Sequence, residues 1–578
     1  MSAMPRASID RRAALRTAFV AVAVALAAAL PYLNSLGADF TFDDAGVIRD
    51  NAAVQVLPAV DLLHYVYRPG ELYRPLTMLT YAANAAISPA PFGFHLVNVA
   101  LHVLISLCVF FLARRLLRTF AGAACAALLF AAHPIHTEAV TNVVGRAELL
   151  AALGVLIALL ACARAIGSSG HRRHAWLIVS LLAFAAGMLA KESAFTALPL
   201  FAVVHVWLDR KAAPRERAGL LWPYAVVAVA YLALRLAVVG ALVLPEPPGA
   251  LDNPLAHVDA AARIRTAIIV LWEYAALLAV PMHLVADYSY NAVPVALSWG
   301  DPRFLATAAL LACSAVLVVS AGRRAPVVPL AAAFACIPLV LTANLLFPIG
   351  TIKAERLLYL PSVGWVLACG WLAAEALRRR SPRWALALAL LVAVFGARTW
   401  LRNADWQDDA TLFRVTLADA PCSAKAHYNG AVALQQAGQL DDAMAQYRRA
   451  LEIYPPYAAA AFGIGHIYGL KGSDAGALGW YEEALRRDPK FTKAHLQIGL
   501  LRQRRGEYDA AEAALLTGLA SDPNDPMLLV NLGAVRLSQG NRWEAQTALA
   551  QLDGIGTVDH RENEIVAAAR REIEVALQ

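Results

Sequence analysis

The sequence predicts an all-α chain in two parts: a polytopic bundle of membrane-spanning helices over residues 1–403 and a helical-repeat solenoid over residues 404–578. Three observations lead there. Over 578 residues the chain is 59% hydrophobic and only 16% charged, with mean hydropathy +0.53; a water-soluble domain carries less apolar and more charged sequence. Long apolar runs recur as far as about Val394 and then stop. Beyond them, Pro421, Pro455, Pro489 and Pro523 are spaced by a constant 34 residues.

In chain order, the apolar runs give eleven candidate spans: about 17–36, 94–113, 119–133, 147–165, 175–190, 194–208, 219–239, 304–320, 327–346, 357–376 and 383–398. Several are short for a hydrocarbon core of ~30 Å, which calls for tilt or local thinning. The first follows Arg11, Arg12 and Arg16, as a signal peptide would. Its apolar run of about 17–19 residues exceeds the usual 7–15, so it reads as a retained span. A further apolar helix, about 264–281, carries Arg263 and Arg265 at its edge and Glu273 inside. Basic clusters occur at Arg6/Arg11/Arg12/Arg16, Arg114/Arg115/Arg118, His171/Arg172/Arg173/His174, Arg210/Lys211/Arg215/Arg217, Arg323/Arg324 and Arg378/Arg379/Arg380/Arg383. Eleven spans put all six on the cytoplasmic side, where Lys and Arg concentrate. A crossing by 264–281 would put the last two outside, so that helix is expected to be re-entrant or interfacial. The N-terminus is then cytoplasmic and the C-terminal part extracytoplasmic.

The net charge of +7, from 50 basic and 43 acidic residues, sits largely in these clusters and is not a nucleic-acid footprint. Six of the seven cysteines lie in apolar segments, where Cys behaves as a small hydrophobe. No CxxC or zinc spacing occurs.

The same topology gathers most of the remaining charge on the outer face. After the first span comes Phe40-Thr41-Phe42-Asp43-Asp44. Two carboxylates beside a bilayer are costly unless paired or working, and one with a raised pKa serves as a general base. Asp is also a common capping and turn residue, which is the structural alternative. Arg74, Arg146, Lys191, Lys353 and Arg356 offer cations for a phosphate. His133, His136 and Glu138 have the look of metal ligands, but a third ligand at proper spacing is missing, and a helix end capped after Pro134 is the simpler explanation. Lys191–Glu192 reads as a site pair or an interfacial ion pair, and Lys353, Glu355 and Arg356, with Tyr359 beside them, read as site members or an ordinary loop anchor. No Walker lysine loop, dinucleotide fingerprint or nucleophile elbow is present, so a pre-activated substrate is favoured over ATP.

The 34-residue step continues at Ala443, Ala477, Ala511 and Ala545, at Ala431, Gly465, Gly499 and Gly533, and at Tyr447, Tyr481, Leu515 and Leu549. This is the tetratricopeptide helix–turn–helix pattern. It places repeats at about 424–457, 458–491, 492–525 and 526–559, with a partial pair before them and a capping helix at about 561–577. Such solenoids bind peptides and seldom do chemistry, so any reaction falls to the membrane part.

With these residues in hand, the chain resembles the transmembrane and tetratricopeptide-repeat O-mannosyltransferases, in a form that looks bacterial. The resemblance runs over nearly the whole length. It is carried by Phe42-Asp43-Asp44, Tyr73-Arg74-Pro75-Leu76-Thr77, His95-Leu96-Val97-Asn98 and His133-Pro134-Ile135-His136-Thr137-Glu138-Ala139-Val140. Gly145-Arg146-Ala147-Glu148, Lys191-Glu192 and Ala354-Glu355-Arg356-Leu357-Leu358-Tyr359-Leu360-Pro361-Ser362 continue it. It implies a GT-C glycosyltransferase, a polyprenyl-phosphate sugar as donor, a hydroxyl of an exported protein as acceptor, and a catalytic acidic residue at Asp43 or Asp44. The implied phosphate- or substrate-binding set is Arg74, His133, His136, Glu138, Arg146, Lys191, Glu192, Lys353, Glu355, Arg356 and Tyr359. No cofactor is implied, although an Asp pair suits a divalent metal. Four repeats are fewer than the eukaryotic members carry, which leaves the acceptor and the mannose open. The alternatives are a non-catalytic membrane scaffold for envelope proteins and a GT-C enzyme acting on a lipid or glycan.

Overall fold

The computed structural model describes residues 5–56, 59–66, 72–242, 247–378, 382–553 and 560–577; the expected cluster members Arg379 and Arg380 lie outside them. The chain is 78% helical and the described residues contain no strand. It divides into two units. One comprises Met1–Val47, Leu57–Tyr288 and Val293–Leu412; the other comprises Ile48–Val56, Ser289–Ala292 and Phe413–Gln578.

The first unit is that of a multi-pass membrane protein. Among the described residues, seven helices are long and apolar enough to cross a bilayer, Pro91–Leu117 and Gly170–Ala190 among them. Phe120–Ala132 and Pro134–Thr141 make an eighth if counted as one span bent by 48°. The bend falls at Pro134, which lacks the N–H that would continue the helix. Three of the predicted spans fold as shorter helices: Ala197–Leu208 with 12 residues, Val327–Cys336 with 10 and Ser362–Arg378 with 17. The second of these passes into the turn Ile337–Leu339, after which Asn344 organises the chain. Its amide donates to the carbonyls of Thr351 and Ile352, and its oxygen accepts from Ile349 N–H and Asn253 Nδ2. Polar side chains here supply the partners a helix would have supplied. Ala260–Ala279 forms a single 20-residue helix. Arg265 on it holds the following loop through the carbonyls of Ala296 and Leu297, under the Trp299 ring.

With lipid on one side and apolar side chains on the other, burial alone hardly drives membrane helices together; close approach through small residues does. Gly154 and Gly187 meet where Arg146–Ile166 packs on Gly170–Ala190, and a Cβ on Gly154 would stand 2.7 Å from the Gly187 Cα. Around this contact a core forms from Ile105, Val109, Phe130, Leu149, Leu156, Phe184 and Phe201, all fully buried.

The second unit is a solenoid of four helix pairs. They are Ala424–Gln436 with Leu440–Ile453, Ala458–Leu470 with Asp474–Arg487, Thr492–Arg504 with Tyr508–Ser521, and Pro526–Ser538 with Arg542–Asp553; His560–Leu577 follows. Each pair turns at a glycine with φ between 73° and 83°, at Gly438, Gly472, Gly506 and Gly540, a conformation that costs other residues. These glycines keep the same 34-residue step. The repeat aromatics fill the space that the small residues leave: a Cβ on Gly465 would lie 2.7 Å from the Tyr481 ring. Gly465→Ala should therefore destabilise the solenoid by ~1–3 kcal/mol, the usual cost of overpacking. Urea unfolding of a 405–578 fragment, expected to be a soluble helical monomer, checks this. A wild-type stability in the variant would mean that the Tyr481 ring moves freely.

Candidate active site

The site begins where the first helix ends. The turn Leu30–Gly37 and the loop behind it are stapled to the Pro382–Ala404 helix: Asn403 Nδ2 donates to Pro31 O at 2.7 Å, and Asp39 N–H reaches Gln407 O at 2.9 Å. Phe42 then takes a left-handed backbone, φ 56°, which is uncommon for a bulky residue. Its N–H is held by Asp409 Oδ1 at 2.7 Å, and its ring packs with Ala286, Trp406 and Leu412. This turn sends the next two carboxylates opposite ways.

Asp44 points inward and is fully buried. Its carboxylate accepts from the N–H groups of Thr41 at 3.2 Å, Val143 at 3.2 Å and Val144 at 2.8 Å. It fastens the first loop to the chain entering the Arg146–Ile166 helix. Asp43 is exposed. Among the described residues its carboxylate makes no hydrogen bond or ion pair, and its charge acts on Arg356 and on neighbouring Asp44.

Three ion pairs form a network that reaches it through Arg356. Arg74 grips Glu192 with Nε at 3.1 Å and Nη2 at 2.6 Å. Lys191 pairs with Glu148, whose other oxygen lies 3.5 Å from Ser193 Oγ. Arg356 pairs with buried Glu138, which also accepts the Arg356 N–H at 2.8 Å. The pairs share one site, for Lys191 feels the charges of Arg74 and Arg356, and Arg356 those of Asp43 and Glu148. A second group adjoins it. Glu355 Oε1 accepts from Val285 N–H at 2.5 Å and Tyr288 Oη at 3.0 Å. Lys353 bonds Glu273 at 2.8 Å over the Tyr288 ring.

Of the five cations expected around one phosphate, the structure brings together Arg74, Lys191 and Arg356. Arg146 is fully buried, with neutral partners: Asn98 Oδ1, Thr80 O, Asn84 Oδ1 and Phe94 O, all at 3.0–3.1 Å, and the Tyr81 and Phe94 rings. Lys353 is engaged by Glu273. His133, His136 and Tyr359 are likewise internal. His133 Nε2 meets Leu278 O at 3.0 Å and its Nδ1 accepts from Ile135 N–H. His136 meets Ser362 Oγ at 3.0 Å, and Tyr359 Oη meets His102 Nδ1 at 2.7 Å. Interior polar groups need partners; these find theirs within the bundle, except His136 Nδ1, which is buried without one among the described residues. Among the described residues, no three His, Cys, Asp or Glu side chains are placed to hold a metal ion. Sequence reasoning assigned no role to Glu148, Glu273 or Asn98. The signal for Glu148 was present: a carboxylate at the start of an otherwise apolar helix needs a cation nearby.

Burial pushes Asp44 up to about 7, against the pull of its three N–H partners, and pushes Glu355 up to about 7 against the Arg402 charge. Both folded values exceed the ordinary carboxyl values of 3.8 and 4.5, so the folded state holds protons that the unfolded chain releases. Stability is then greatest below pH ~4 on this account and falls as pH rises to about 7, by an amount on the order of 3 kcal/mol for each group. Thermal aggregation of the full chain in detergent at pH 5, 6, 7 and 8 should start at progressively lower temperature. A rising onset would reverse the sign.

Comparison with known proteins agrees with this layout. Residues 249–315 match the family model described as Protein O-mannosyl-transferase TMTC, DUF1736, and residues 424–457 match a tetratricopeptide repeat model. The mouse Protein O-mannosyl-transferase TMTC4 is 32% identical over 483 residues, covering 72% of this chain and 64% of that protein. The Drosophila melanogaster Protein O-mannosyl-transferase Tmtc3 is 29% identical over 528 residues, covering 77% and 56%. The chain thus spans about six-tenths of the length of the curated relatives it matches. Among solved structures, a thermophilic TPR protein of Thermus thermophilus aligns with 36% of this chain and 98% of its own, at 23% identity and a TM-score of 0.25. The family model, the curated relatives and the repeat register together establish that this chain belongs to the transmembrane and tetratricopeptide-repeat (TMTC) family.

Proposed function

We propose that this chain is a membrane glycosyltransferase that moves a mannose-like sugar from a polyprenyl-phosphate donor to Ser or Thr hydroxyls of exported proteins. The observation that carries the reading is Asp43, an exposed carboxylate with no side-chain partner among the described residues, acting on the charge of the Arg356–Glu138 pair, in a chain whose relatives are named protein O-mannosyl-transferases. In this scheme Asp43 takes the proton of the acceptor hydroxyl as its oxygen bonds to the anomeric carbon. The bond from that carbon to the phosphate oxygen breaks, and the electron pair leaves with the phosphate. Arg74, Lys191 and Arg356 face that growing charge, which a preorganised site stabilises better than water does. The Glu192 pair uses Nε and Nη2 of Arg74 and leaves Nη1 for the phosphate. No metal or other cofactor enters the scheme. The repeats present the acceptor.

Mass spectrometry of envelope proteins from cells with and without the chain tests this reading: hexose on Ser or Thr should vanish with the chain and return with it. An unchanged glycoproteome would favour the scaffold or a lipid acceptor. The proposed site is extracytoplasmic, in the inner membrane. A reporter fused after Arg402 should therefore be active outside the cytoplasm and one after Arg324 inside. An Arg402 fusion active in the cytoplasm would mean that Ala260–Ala279 crosses the bilayer.

A further inference from the structure

At the opposite end of the apolar spans from the Asp43 loop lies a cavity of about 380 Å³ lined by Arg12, Ala13, Arg16, Thr17, Arg114 and Phe120. Its size falls in the range of small-molecule sites. Arg12 and Arg16 are four residues apart on the Pro5–Ala29 helix and so share a face. Arg114 comes from the last turn of Pro91–Leu117. It is fixed in place by Nη1 donating to Thr17 Oγ1 at 3.1 Å and by the Phe110 and Phe120 rings, 5.8 and 5.5 Å from its guanidinium carbon. Three like charges around one cavity repel one another. Among the described residues none of the three is in an ion pair. Each carboxylate-facing cation of the active site has its counter-ion within the chain; these three do not. An anion from outside the chain would supply the negative charge that all three lack.

The surroundings say from where. Arg12 and Arg16 sit where the Pro5–Ala29 helix becomes apolar, and the apolar residues that follow, Phe19, Val22 and Leu26, are at least half exposed. They face lipid. A phosphate held by the arginines would therefore have its acyl chains lying along that exposed flank. A soluble anion would gain only the polar half of the site.

We propose that this cavity binds the phosphate of an anionic phospholipid, with Arg12, Arg16 and Arg114 as its ligands. The inference stands apart from the transferase reading, since no residue is shared. The test uses the purified full chain in neutral detergent, with binding followed by native mass spectrometry and by thermal aggregation. Phosphatidylglycerol should be retained and raise the aggregation temperature, and phosphatidylcholine should do neither. Arg12→Gln with Arg16→Gln, both exposed, should weaken phosphatidylglycerol binding by about tenfold or more. Arg323→Gln with Arg324→Gln, elsewhere in the chain, should leave it unchanged. If the double variant does not accumulate, Arg12→Gln alone should show a loss of about threefold or more. Equal retention of the two lipids, or wild-type binding by the Arg12 variants, would overturn the proposal. So would stabilisation by inorganic phosphate alone to the same extent, which would assign the site to a soluble anion.

Discussion

Asp43→Asn should reduce sugar transfer by about two orders of magnitude or more, the range for losing a positioned acid–base group, and leave thermal stability unchanged. Its carboxylate is exposed and supports no other part of the chain. Asp44→Asn should behave in the opposite manner. An amide there presents an N–H₂ to at least one of the three backbone N–H groups that now donate to the carboxylate. The variant should lose ~1–3 kcal/mol of stability, the cost of leaving a buried donor unpaired, and whatever fraction remains folded should turn over. Transfer from a purified polyprenyl-phosphate donor to envelope extract, measured beside aggregation temperature for each variant, separates the two. The assignment of the base to Asp43 is lost if Asp43→Asn transfers at the wild-type rate.

Arg356→Met should be severely destabilising, by ~3–5 kcal/mol, because it strands Glu138 as a buried carboxylate without its cation. Glu138 is only 1% exposed, while Arg356 retains partial access to solvent. Adding Glu138→Gln to Arg356→Met removes the stranded charge and should recover most of the lost stability. It should not recover transfer, since one of the three cations proposed to face the phosphate is still missing. Aggregation temperature and transfer rate measured across the four-member cycle give both answers. If the double variant is as unstable as the single, the pair is not coupled and Arg356 acts through some other contact.

The solenoid was legible in the sequence because a 34-residue step repeats at several positions at once, and each position has one structural job. The membrane part was legible as a class, from apolar runs and arginine clusters, but less so in its helix bounds. Val327–Cys336 stops after ten residues ahead of Pro338, a signal the sequence does carry; periodicity does not reveal the loop beyond it, where Asn344 and Asn253, 91 residues apart, meet in space. The site followed the same division. Arg74 pairs with Glu192, Lys191 with Glu148 and Arg356 with Glu138, and Asp43 acts on the Arg356 charge. Arg146, His133, His136 and Tyr359 have the right chemistry but face inward, and sequence alone does not say which way a side chain turns. The Phe42 backbone decides that between Asp43 and Asp44, and nothing in the letters Phe-Asp-Asp marks a positive φ.

The cage around Arg146 bears on how the protein is made. All four of its acceptors, on Thr80, Asn84, Phe94 and Asn98, precede it in the chain by 48 to 66 residues. During synthesis the acceptors therefore emerge before the charge that needs them. A cation entering hydrocarbon alone is costly, whereas here a ready-made polar berth awaits it. The order of elements along the polypeptide thus doubles as an order of insertion, with the arginine arriving last and locking the helices that came before.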